Sequence, residues 1–281
     1  MSPQTPRSTG DLTAAVGGRC LVMGVVNVTP DSFSDGGEWF EPEAAVAHGL
    51  DLLAEGADLL DVGGESTRPG ASRVPEEEER RRVLPVVQAL ADAGAVVSID
   101  TTRASVAHAA LDAGAAMVND VSGGLADPAL PRLVAEAGVP YVAMHWRGHS
   151  DRMDDLAQYD DVVADVVAEL AKRAEALVAV GISSDRLVLD PGLGFAKTGD
   201  HNWELLRHLD RVTALGFPVL VGASRKRFIS SVSPSEPHQR LGGSIAAHLI
   251  AARGGARIIR THDVAETVQA LRVAAAIEDK R

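Results

Sequence analysis

The sequence predicts an α/β fold, and specifically a single-domain (βα)8 TIM barrel. Seven times a helix-like stretch ends in glycine and runs within a few residues into a short apolar strand, and an eighth strand opens the series. The strands are continuous apolar runs, which indicates that both of their faces are covered. Each run ends in polar residues, and the active sites of such barrels lie at the carboxyl ends of the strands.

The predicted strands are short and regularly spaced. They are Val22–Asn27, Leu59–Val62, Val96–Asp100, Met117–Asn119, Tyr141–His145, Leu187–Asp190, Val219–Gly222 and Ile258–Thr261. The glycines before the last seven strands are expected to take the left-handed conformation that ends a helix. They are Gly56, Gly94, Gly114, Gly138, Gly181, Gly216 and Gly254.

Helical patterns follow the strands. They are Pro42–Glu55, Glu77–Ala93, Ser105–Ala113, Leu130–Ala137, Asp161–Val180, Trp203–Thr213, Gly243–Arg253 and Val264–Glu278. Pro42 occupies a first-turn position, where proline is tolerated, and Asp263 suits the N-cap of the last helix. An open, doubly wound sheet is the alternative architecture, but eight regular units favour closure into a barrel.

The length of 281 residues fits one large α/β domain. Residues 1–19 are rich in Ser, Thr, Pro and Gly and are predicted to be a flexible tail, with the catalytic barrel domain at 20–281. No run approaches the roughly 18 apolar residues of a membrane span. Because the tail also lacks the apolar stretch of a signal peptide, the sequence predicts a cytoplasmic protein.

The net charge of −12, from 27 basic and 39 acidic residues, argues against binding to nucleic acid or an anionic membrane. A net negative charge does not argue against the binding of a small anion in a local basic pocket. The one cysteine, Cys20, cannot form an internal disulfide, which suits a reducing compartment. It precedes the first strand, at the end away from a barrel active site, and is predicted to be an inert buried thiol.

Two long connections, Thr29–Phe40 and Gly63–Pro75, follow the first two strands and would emerge at the same barrel rim. Long irregular loops at this position are often lids over a site. Insertions tolerated at the surface are the alternative, but the shared rim favours lids.

Acidic and amide side chains end three of the strands. Asp100, Asn119 and Asp190 are expected at the barrel mouth, where carboxylates accept paired N–H groups and an amide both donates and accepts. Such a set can read the edge of a flat, aminopyrimidine-like heterocycle. Helix capping or turn formation is the alternative for any one of them, and Asp120, one residue out of phase, is expected to be structural.

Arg260 and His262 follow the last strand, beside the start of the final helix. Strand ends and helix N-termini near the eighth unit of a barrel commonly bind phosphate groups. The alternative for Arg260 is an ion pair with an acidic helix residue. His145 is ambiguous, since a satisfied polar contact beneath a loop is as compatible with its position as a ligand role.

Eight segments carry these polar residues in a fixed order. They are Asn27–Gly37, Gly63–Gly70, Ile99–Thr101, Asn119–Gly124, Met144–His145, Asp190–Thr198, Gly222–Phe228 and Arg260–Asp263. In this order and spacing they resemble the dihydropteroate synthase family of folate biosynthesis, whose members are pterin-binding TIM barrels. The resemblance runs from Leu21 to the final helix.

The resemblance implies roles residue by residue. The implied pterin-binding residues are Asp100, Asn119, Asp190, Lys226 and Met144. The implied diphosphate-binding residues are Asn27, Thr67, Arg68, Arg260 and His262, and Asn27 is also the implied ligand of a Mg²⁺ cofactor. The implied p-aminobenzoate-binding residues are Phe33, Thr67, Pro69, Phe195 and Ser224. The residues expected to support catalysis are Asp100, Asp190, Lys226, Arg260, Arg68 and Asp31.

The implied reaction condenses 7,8-dihydropterin-6-ylmethyl diphosphate with p-aminobenzoate to give 7,8-dihydropteroate and diphosphate. It needs no nucleophilic side chain, and the sequence offers no convincing Ser/His/Asp arrangement. The resemblance further implies inhibition by sulfonamides and a homodimer, with the later helices, Ala246–Ala252 and Val273–Ile277, at the interface. Barrel packing alone would also explain the apolar character of those two segments.

Two alternatives remain open. A methyltetrahydrofolate-binding methyltransferase on a related barrel would share the pterin readers but not the diphosphate residues. A catalytically silent paralogue that binds pterin or a protein partner would carry degraded loops, whereas both long loops match the family pattern.

Overall fold

The computed structural model of the protein describes residues 19–29, 42–66, 73–149 and 153–278. Its strands are all parallel and are β1 (Leu21–Asn27), β2 (Leu59–Gly63), β3 (Val97–Asp100), β4 (Met117–Asp120), β5 (Tyr141–Met144), β6 (Leu187–Asp190), β7 (Leu220–Val221) and β8 (Ile258–Thr261).

Helices alternate with the strands. They are α1 (Pro42–Ala54), α2 (Glu76–Asp92), α3 (Ala104–Asp112), α4 (Leu130–Ala137), α5 (Val162–Val180), α6 (Gly199–Arg207), α7 (Leu209–Thr213), α8 (Arg227–Ser230), α9 (Leu241–Arg253) and α10 (Val264–Glu278). Short 3-10 turns lie at Met153–Leu156, Ser184–Arg186 and Pro237–Gln239. No helix in the described ranges has both the length and the apolar content needed to cross a bilayer.

The sheet closes on itself. The hydrogen-bonded order is β6-β5-β4-β3-β2-β1-β8-β7. The two remaining edges meet through a parallel bridge between Leu189 and Val219, where Leu189 N donates to Pro218 O at 2.9 Å. The predicted TIM barrel is therefore confirmed, and the open doubly wound sheet is excluded.

Alternation of side chains along the strands divides the barrel into layers. Outward-facing residues such as Leu60, Ile99 and Val118 pack beneath the surrounding helices. Inward-facing residues form an apolar floor of Leu21, Met23, Leu59, Met117, Val142, Val188, Leu220 and Ile258. The next inward positions toward the carboxyl ends are polar, because two residues beyond Leu59, Met117 and Ile258 come Asp61, Asn119 and Arg260.

Six of the seven junction glycines have positive φ, as predicted, but Gly254 does not. Its φ is −73°, and its N–H donates to Ile250 O at 2.9 Å, so it still belongs to the last turn of α9. Gly255, with φ +95°, makes the left-handed turn instead. A second adjacent glycine allowed the helix to continue for one more residue.

The predicted helix Trp203–Thr213 is two helices, α6 and α7, separated at His208, whose φ and ψ of −115° and 33° are not helical. At the other helix ends, Asp161 caps α5 by accepting from Val163 N and Ala164 N. Asp263 instead directs its carboxylate at the guanidinium of Arg225. The predicted tail lies outside the described residues, apart from Arg19.

Candidate active site

A buried ion cluster lies at the carboxyl end of the barrel. Arg260 donates through Nε to Asp61 Oδ2 at 2.6 Å and through Nη2 to Asp100 Oδ2 at 3.0 Å. Asn119 donates through Nδ2 to the same oxygen of Asp61 at 2.9 Å. The strand register explains why these side chains lie close together. Asp100 of β3 pairs with Asn119 of β4, and both lie just before the carboxyl rim of the barrel. The predicted Asp100, Asn119 and Arg260 are therefore brought together.

Burial dominates the electrostatics of this cluster. It raises the pKa of Asp100, and the neighbouring Asp61 carboxylate adds to the effect, while Arg260 opposes it. Arg260 forms ion pairs, as in the alternative to anion binding, but its partners are acids of β2 and β3 and not an acidic helix residue. The carboxylates accept from two of its five N–H groups. The remaining N–H groups of the guanidinium can donate to an anion.

Asp190 and Lys226 form the opposite wall. Burial raises the pKa of Asp190, against the attraction of Lys226, and Gly192 N donates to Asp190 Oδ1 at 2.6 Å. Burial lowers the pKa of Lys226 to about 8, while Asp190 raises it. Lys226 Nζ donates to Leu193 O and lies 4.7 Å from the centre of the Phe195 ring. Met144, buried at the end of β5, pairs in register with Asp190.

Ser224 and His262 meet where β7 and β8 end. The Ser224 hydroxyl accepts from His262 N at 3.1 Å and lies 3.0 Å from its Nδ1. Ser224 is buried and His262 is half-buried. A hydroxyl and an imidazole thus share the rim next to Arg260.

Asn27 ends β1 at the same rim, paired in register with Gly63. A Cβ placed on Gly63 would lie 3.3 Å from Cβ of Asp100, so little space separates this edge from the ion cluster. No group of three His, Cys, Asp or Glu side chains in the described part of the chain could hold a metal. The carboxamide of Asn27 is a single neutral oxygen donor, which fits an ion that keeps waters and substrate oxygens as its other ligands.

Five predicted site residues, Asp31, Phe33, Thr67, Arg68 and Pro69, lie outside the described residues. The described ends of the second loop are held by charge. Glu65 accepts from Arg73 Nε at 3.1 Å and from Arg103 Nη1 at 2.9 Å. Arg103 also pairs with buried Glu79, which accepts from Thr101 Oγ1 at 2.6 Å. Glu79 belongs to an acidic run whose sequence resembles a solvated helix start, so the pattern gave no sign of this anchor.

His145 makes satisfied polar contacts, one of the two roles that its position allowed. Its Nε2 lies 2.8 Å from Glu169 Oε2, and its Nδ1 lies 3.0 Å from Nζ of Lys197. Burial lowers the pKa of His145 to about 4 and that of Lys197 to about 7. Lys197 also donates to Phe195 O at 3.0 Å and so supports the loop that carries Phe195.

Asp120 is structural, as expected from its phase. Its carboxylate accepts from Ser122 N and Oγ, both at 2.7 Å, from Gly124 N at 2.6 Å and from Tyr141 Oη at 2.6 Å. Asp61 and Lys197 are two further functional candidates for which no role was predicted. An acid inside an otherwise apolar strand was the available signal for Asp61, while nothing local distinguished Lys197 from a surface lysine.

Comparison with known proteins places the chain in a family. Residues 23–262 match the family model described as pterin binding enzyme. The dihydropteroate synthase of Mycobacterium leprae is 53% identical, over 91% of this chain and 92% of the relative.

Two solved structures share the fold and much of the sequence. Xanthomonas albilineans dihydropteroate synthase with 4-aminobenzoic acid superposes with a TM-score of 0.87 at 52% identity, over 92% of this chain and 93% of that one. Yersinia pestis dihydropteroate synthase in a sulfonamide drug complex gives 0.88 at 43% identity, over 93% and 95%. The chain therefore belongs to the pterin-binding enzyme family and, within it, to the dihydropteroate synthases.

Proposed function

We propose that this enzyme is a transferase that joins 7,8-dihydropterin-6-ylmethyl diphosphate to p-aminobenzoate, giving 7,8-dihydropteroate and diphosphate. The observation that carries the proposal is the buried set of Asp100, Asn119 and Asp190 beside Arg260 and Lys226. This set combines hydrogen-bonding groups for a heterocycle edge with cations for an anionic leaving group, and only one reaction of the pterin-binding barrels considered above requires both.

Recognition of the pterin ring would use the buried polar layer. Asp100 and Asp190 accept N–H groups of the ring, and Asn119 adds an amide between them. Lys226 would reach the carbonyl side of the ring, with Met144 packed against its face. Hydrogen bonds to charged groups contribute about 1.5–3 kcal/mol each, which suffices to orient a small ligand.

The diphosphate would lie between Arg260 and His262 at the end of β8. A guanidinium fork matches phosphate oxygens in two parallel hydrogen bonds. Charge placed where the leaving group develops negative charge lowers the barrier more than it stabilises the bound substrate. Arg260 is therefore the residue expected to assist departure of the diphosphate.

Asn27 would hold a Mg²⁺ ion jointly with the diphosphate. When bound, the ion would supply neutralisation of charge on the leaving group. The single neutral oxygen of Asn27 fits a metal that arrives with substrate better than a resident metal. Removal of divalent ions with EDTA should therefore abolish turnover, and added Mg²⁺ should restore it. Full activity in the chelated sample would contradict this assignment.

The chemistry is a displacement at the methylene carbon. Its C–O bond breaks, the diphosphate leaves with the electron pair, and the positive charge that develops spreads over the ring near Asp100 and Asp190. The nitrogen of p-aminobenzoate, unprotonated near neutral pH, forms the new C–N bond and loses a proton. Phe195 and Ser224 would line its site. The catalytic role of Asp31 and Arg68 and the substrate contacts of Phe33, Thr67, Arg68 and Pro69 stay predictions.

Mixing the purified enzyme with both substrates and Mg²⁺ tests the proposal. We expect one dihydropteroate, identified by mass, for each diphosphate released, and no product when p-aminobenzoate is omitted. A methyltransferase would release no diphosphate, and a silent paralogue would bind the pterin without turnover. Either result would overturn the proposal.

Sulfonamides carry an arylamine in the same position as p-aminobenzoate, so they should compete for the surface at Phe195 and Ser224. Inhibition is expected to be competitive against p-aminobenzoate and not against the pterin substrate. Inhibition that p-aminobenzoate cannot relieve would contradict a shared site. The predicted cytoplasmic location stays a prediction.

A homodimer through α9 and α10 is part of the proposal. Ile250, Val273 and Ile277 are 52%, 55% and 64% exposed, so packing against the barrel does not account for them. Val273 and Ile277 lie one turn apart on α10. Arg253 Nε and Glu278 Oε1, 3.1 Å apart, join the ends of the two helices. A second copy of this chain would cover the exposed apolar side chains.

A further inference from the structure

Asp61 is the least accessible member of the ion cluster. It lies in the middle of β2, and its side chain has no exposed surface. Its Oδ2 accepts from both Asn119 Nδ2 and Arg260 Nε, while its Oδ1 is buried without a hydrogen-bond partner in the described structure. A ligand in the barrel mouth would meet Asn119 and Arg260 first, so Asp61 can act on a substrate only through them.

The contact with Asn119 decides which end of that amide faces the ligand. An ionised carboxylate only accepts hydrogen bonds, so Asn119 must turn its NH₂ group toward Asp61. The amide oxygen is then left for an N–H group of the ligand. Without Asp61 the two ends of the amide would be close in energy, because each could find some partner at the cavity surface.

The contact with Arg260 fixes the orientation of the guanidinium group. Asp61 takes Nε and Asp100 takes Nη2, so the plane of the group is defined by two carboxylates on neighbouring strands. A planar donor held at two points loses little freedom when an anion binds to its remaining N–H groups.

We propose that Asp61 is a positioning residue that orients both the Asn119 amide and the Arg260 guanidinium for the pterin substrate without touching it. The inference rests on the proposed function and concerns the same site. It assigns to one buried carboxylate the geometry of two groups that bind the pterin substrate and not p-aminobenzoate.

The test compares Asp61→Asn and Asp61→Ala by fluorescence titration with 6-hydroxymethylpterin, which measures binding without turnover. We expect the Kd to rise about tenfold in Asp61→Asn, where the charge is lost, and about 100-fold in Asp61→Ala, where the acceptor is lost too. The KM for p-aminobenzoate should stay within twofold in both variants, because Phe195 and Ser224 do not contact Asp61.

Asp58→Asn is the matched control. Asp58 is another carboxylate next to β2 but at the opposite end of the barrel, where it binds Arg19 and accepts from Val22 N at 2.8 Å. Its loss should lower the melting temperature and leave the pterin Kd within twofold. A pterin Kd within twofold in both Asp61 variants would overturn the inference, as would equal weakening for pterin and p-aminobenzoate, or equal weakening in Asp58→Asn.

A folding failure would not end the test. The double variant Asp61→Asn with Arg260→Gln removes the buried cation that the single change leaves with Asp100 as its remaining carboxylate partner. It should bind 6-hydroxymethylpterin at least fivefold more weakly than Arg260→Gln alone, and equal binding by the two proteins would overturn the role of Asp61. Turnover by the unmodified enzyme is measured separately, so failure of the proposed function is recognised independently.

Discussion

Arg260 lies between two carboxylates inside an apolar barrel, and this arrangement constrains what any change there can do. Taking charges out of water is expensive, and removing one partner of a buried pair leaves the other uncompensated. Arg260 makes bonds of 2.6 and 3.0 Å to acids on two different strands. The side chain therefore contributes to stability as well as to the site, and variants must be chosen to separate the two effects.

Arg260→Lys separates them. Lysine keeps a positive charge near Asp61 and Asp100 but has no planar fork with which to bind both carboxylates and a diphosphate. We expect kcat/KM for the pterin diphosphate to fall about 100-fold or more, with a smaller loss of stability than in Arg260→Ala. The latter leaves two buried carboxylates without their cation, which typically costs about 3–5 kcal/mol. Steady-state kinetics and urea denaturation measure the two quantities.

Arg227→Ala is the control, because Arg227 is an exposed cation just after Lys226. It should change kcat/KM by less than twofold. If Arg260→Ala itself stayed within twofold of the unchanged enzyme, the anion-binding role of Arg260 would be wrong.

At this scale the sequence predicts residue types better than contacts. Asp100, Asn119, Asp190 and Arg260 could be located because each follows an apolar run, whereas Lys226 was implied by the resemblance. The hydrogen bonds among them depend on register between strands far apart in the chain, and no local pattern encodes that register. Asp61 also follows an apolar run, but its contacts with Asn119 and Arg260 depend on that register and were not predicted.

The loop between β6 and α6 is a second constrained element. It passes beneath the site, where Gly192 has φ +68° and donates its N–H to Asp190 at 2.6 Å. A Cβ at Gly192 would lie only 2.6 Å from His145 O and 3.2 Å from Met144 Cγ. The backbone of this loop therefore approaches β5 as closely as a residue without a side chain permits.

Gly192→Ala should displace the loop and Asp190 with it. A left-handed alanine costs about 1 kcal/mol, and relieving the overlap with the His145 carbonyl adds about 1–3 kcal/mol. Gly216→Ala is the matched control, since Gly216 has φ +85° but no atom within 4 Å of the added Cβ. We expect pterin affinity to fall more than tenfold in Gly192→Ala alone. Equal losses of stability in the two variants would show that the overlap is absent.

His248 links α9 to α10 in a buried, neutral form. The hydroxyl of Thr267 donates to Asp263 O at 2.7 Å and lies 3.3 Å from Nδ1 of His248. Nε2 is buried without a hydrogen-bond partner in the described structure. Burial lowers the pKa of His248 to about 4, and the negative charge of Asp263 acts in the opposite direction.

This histidine should make stability depend on pH in a defined direction. Its pKa is about 4 in the folded state and 6.5 as the ordinary value, so the unfolded chain binds more protons between these limits. Stability is then fully present above pH 6.5 and lost as the pH falls toward 4. Between pH 7.5 and 5.0 the loss is about 2 kcal/mol. In His248→Gln the decrease in unfolding free energy should be smaller by that amount, measured by urea denaturation.

His145 is also buried with a low pKa, but it is present in both proteins and cancels in the comparison. His108→Gln, at an exposed position, serves as control and should keep the full dependence on pH. An identical slope in His248→Gln and the unchanged protein would refute the assignment.

Element bounds followed closely from the sequence because glycine, proline and apolar runs act locally. The two helix ends that were predicted wrongly, at Gly254 and at His208, also have local causes. Gly254 continues the helix because Gly255 is available to turn, and α6 ends at His208 although the apolar periodicity continues. Periodicity reports which face is buried, and it does not report where the backbone departs from helical geometry.

For the molecule as a whole, the barrel separates stability from chemistry. The inward-facing side chains at its amino end are apolar, while the ion cluster of Asp61, Asp100, Asn119 and Arg260 lies toward the carboxyl end. Closure through Leu189 and Val219 could be predicted only from the number of units, since the bridge between β6 and β7 is a single pair. The two long loops carry five of the predicted site residues, and their roles remain predictions from the resemblance.

The outer face of α9 and α10 exposes the apolar side chains of Ile250, Val273 and Ile277. If a second copy covers it, Val273→Glu with Ile277→Glu would place four carboxylates across the two-fold interface, and like charges there cost several kcal/mol. Light scattering coupled to gel filtration should then show a dimer for the unchanged protein and a monomer for this variant. Val178→Glu with Val180→Glu is the matched control, because these α5 valines are similarly apolar and 41% and 43% exposed. A monomeric unchanged protein, or dissociation of the control to the same extent, would contradict an interface at α9 and α10.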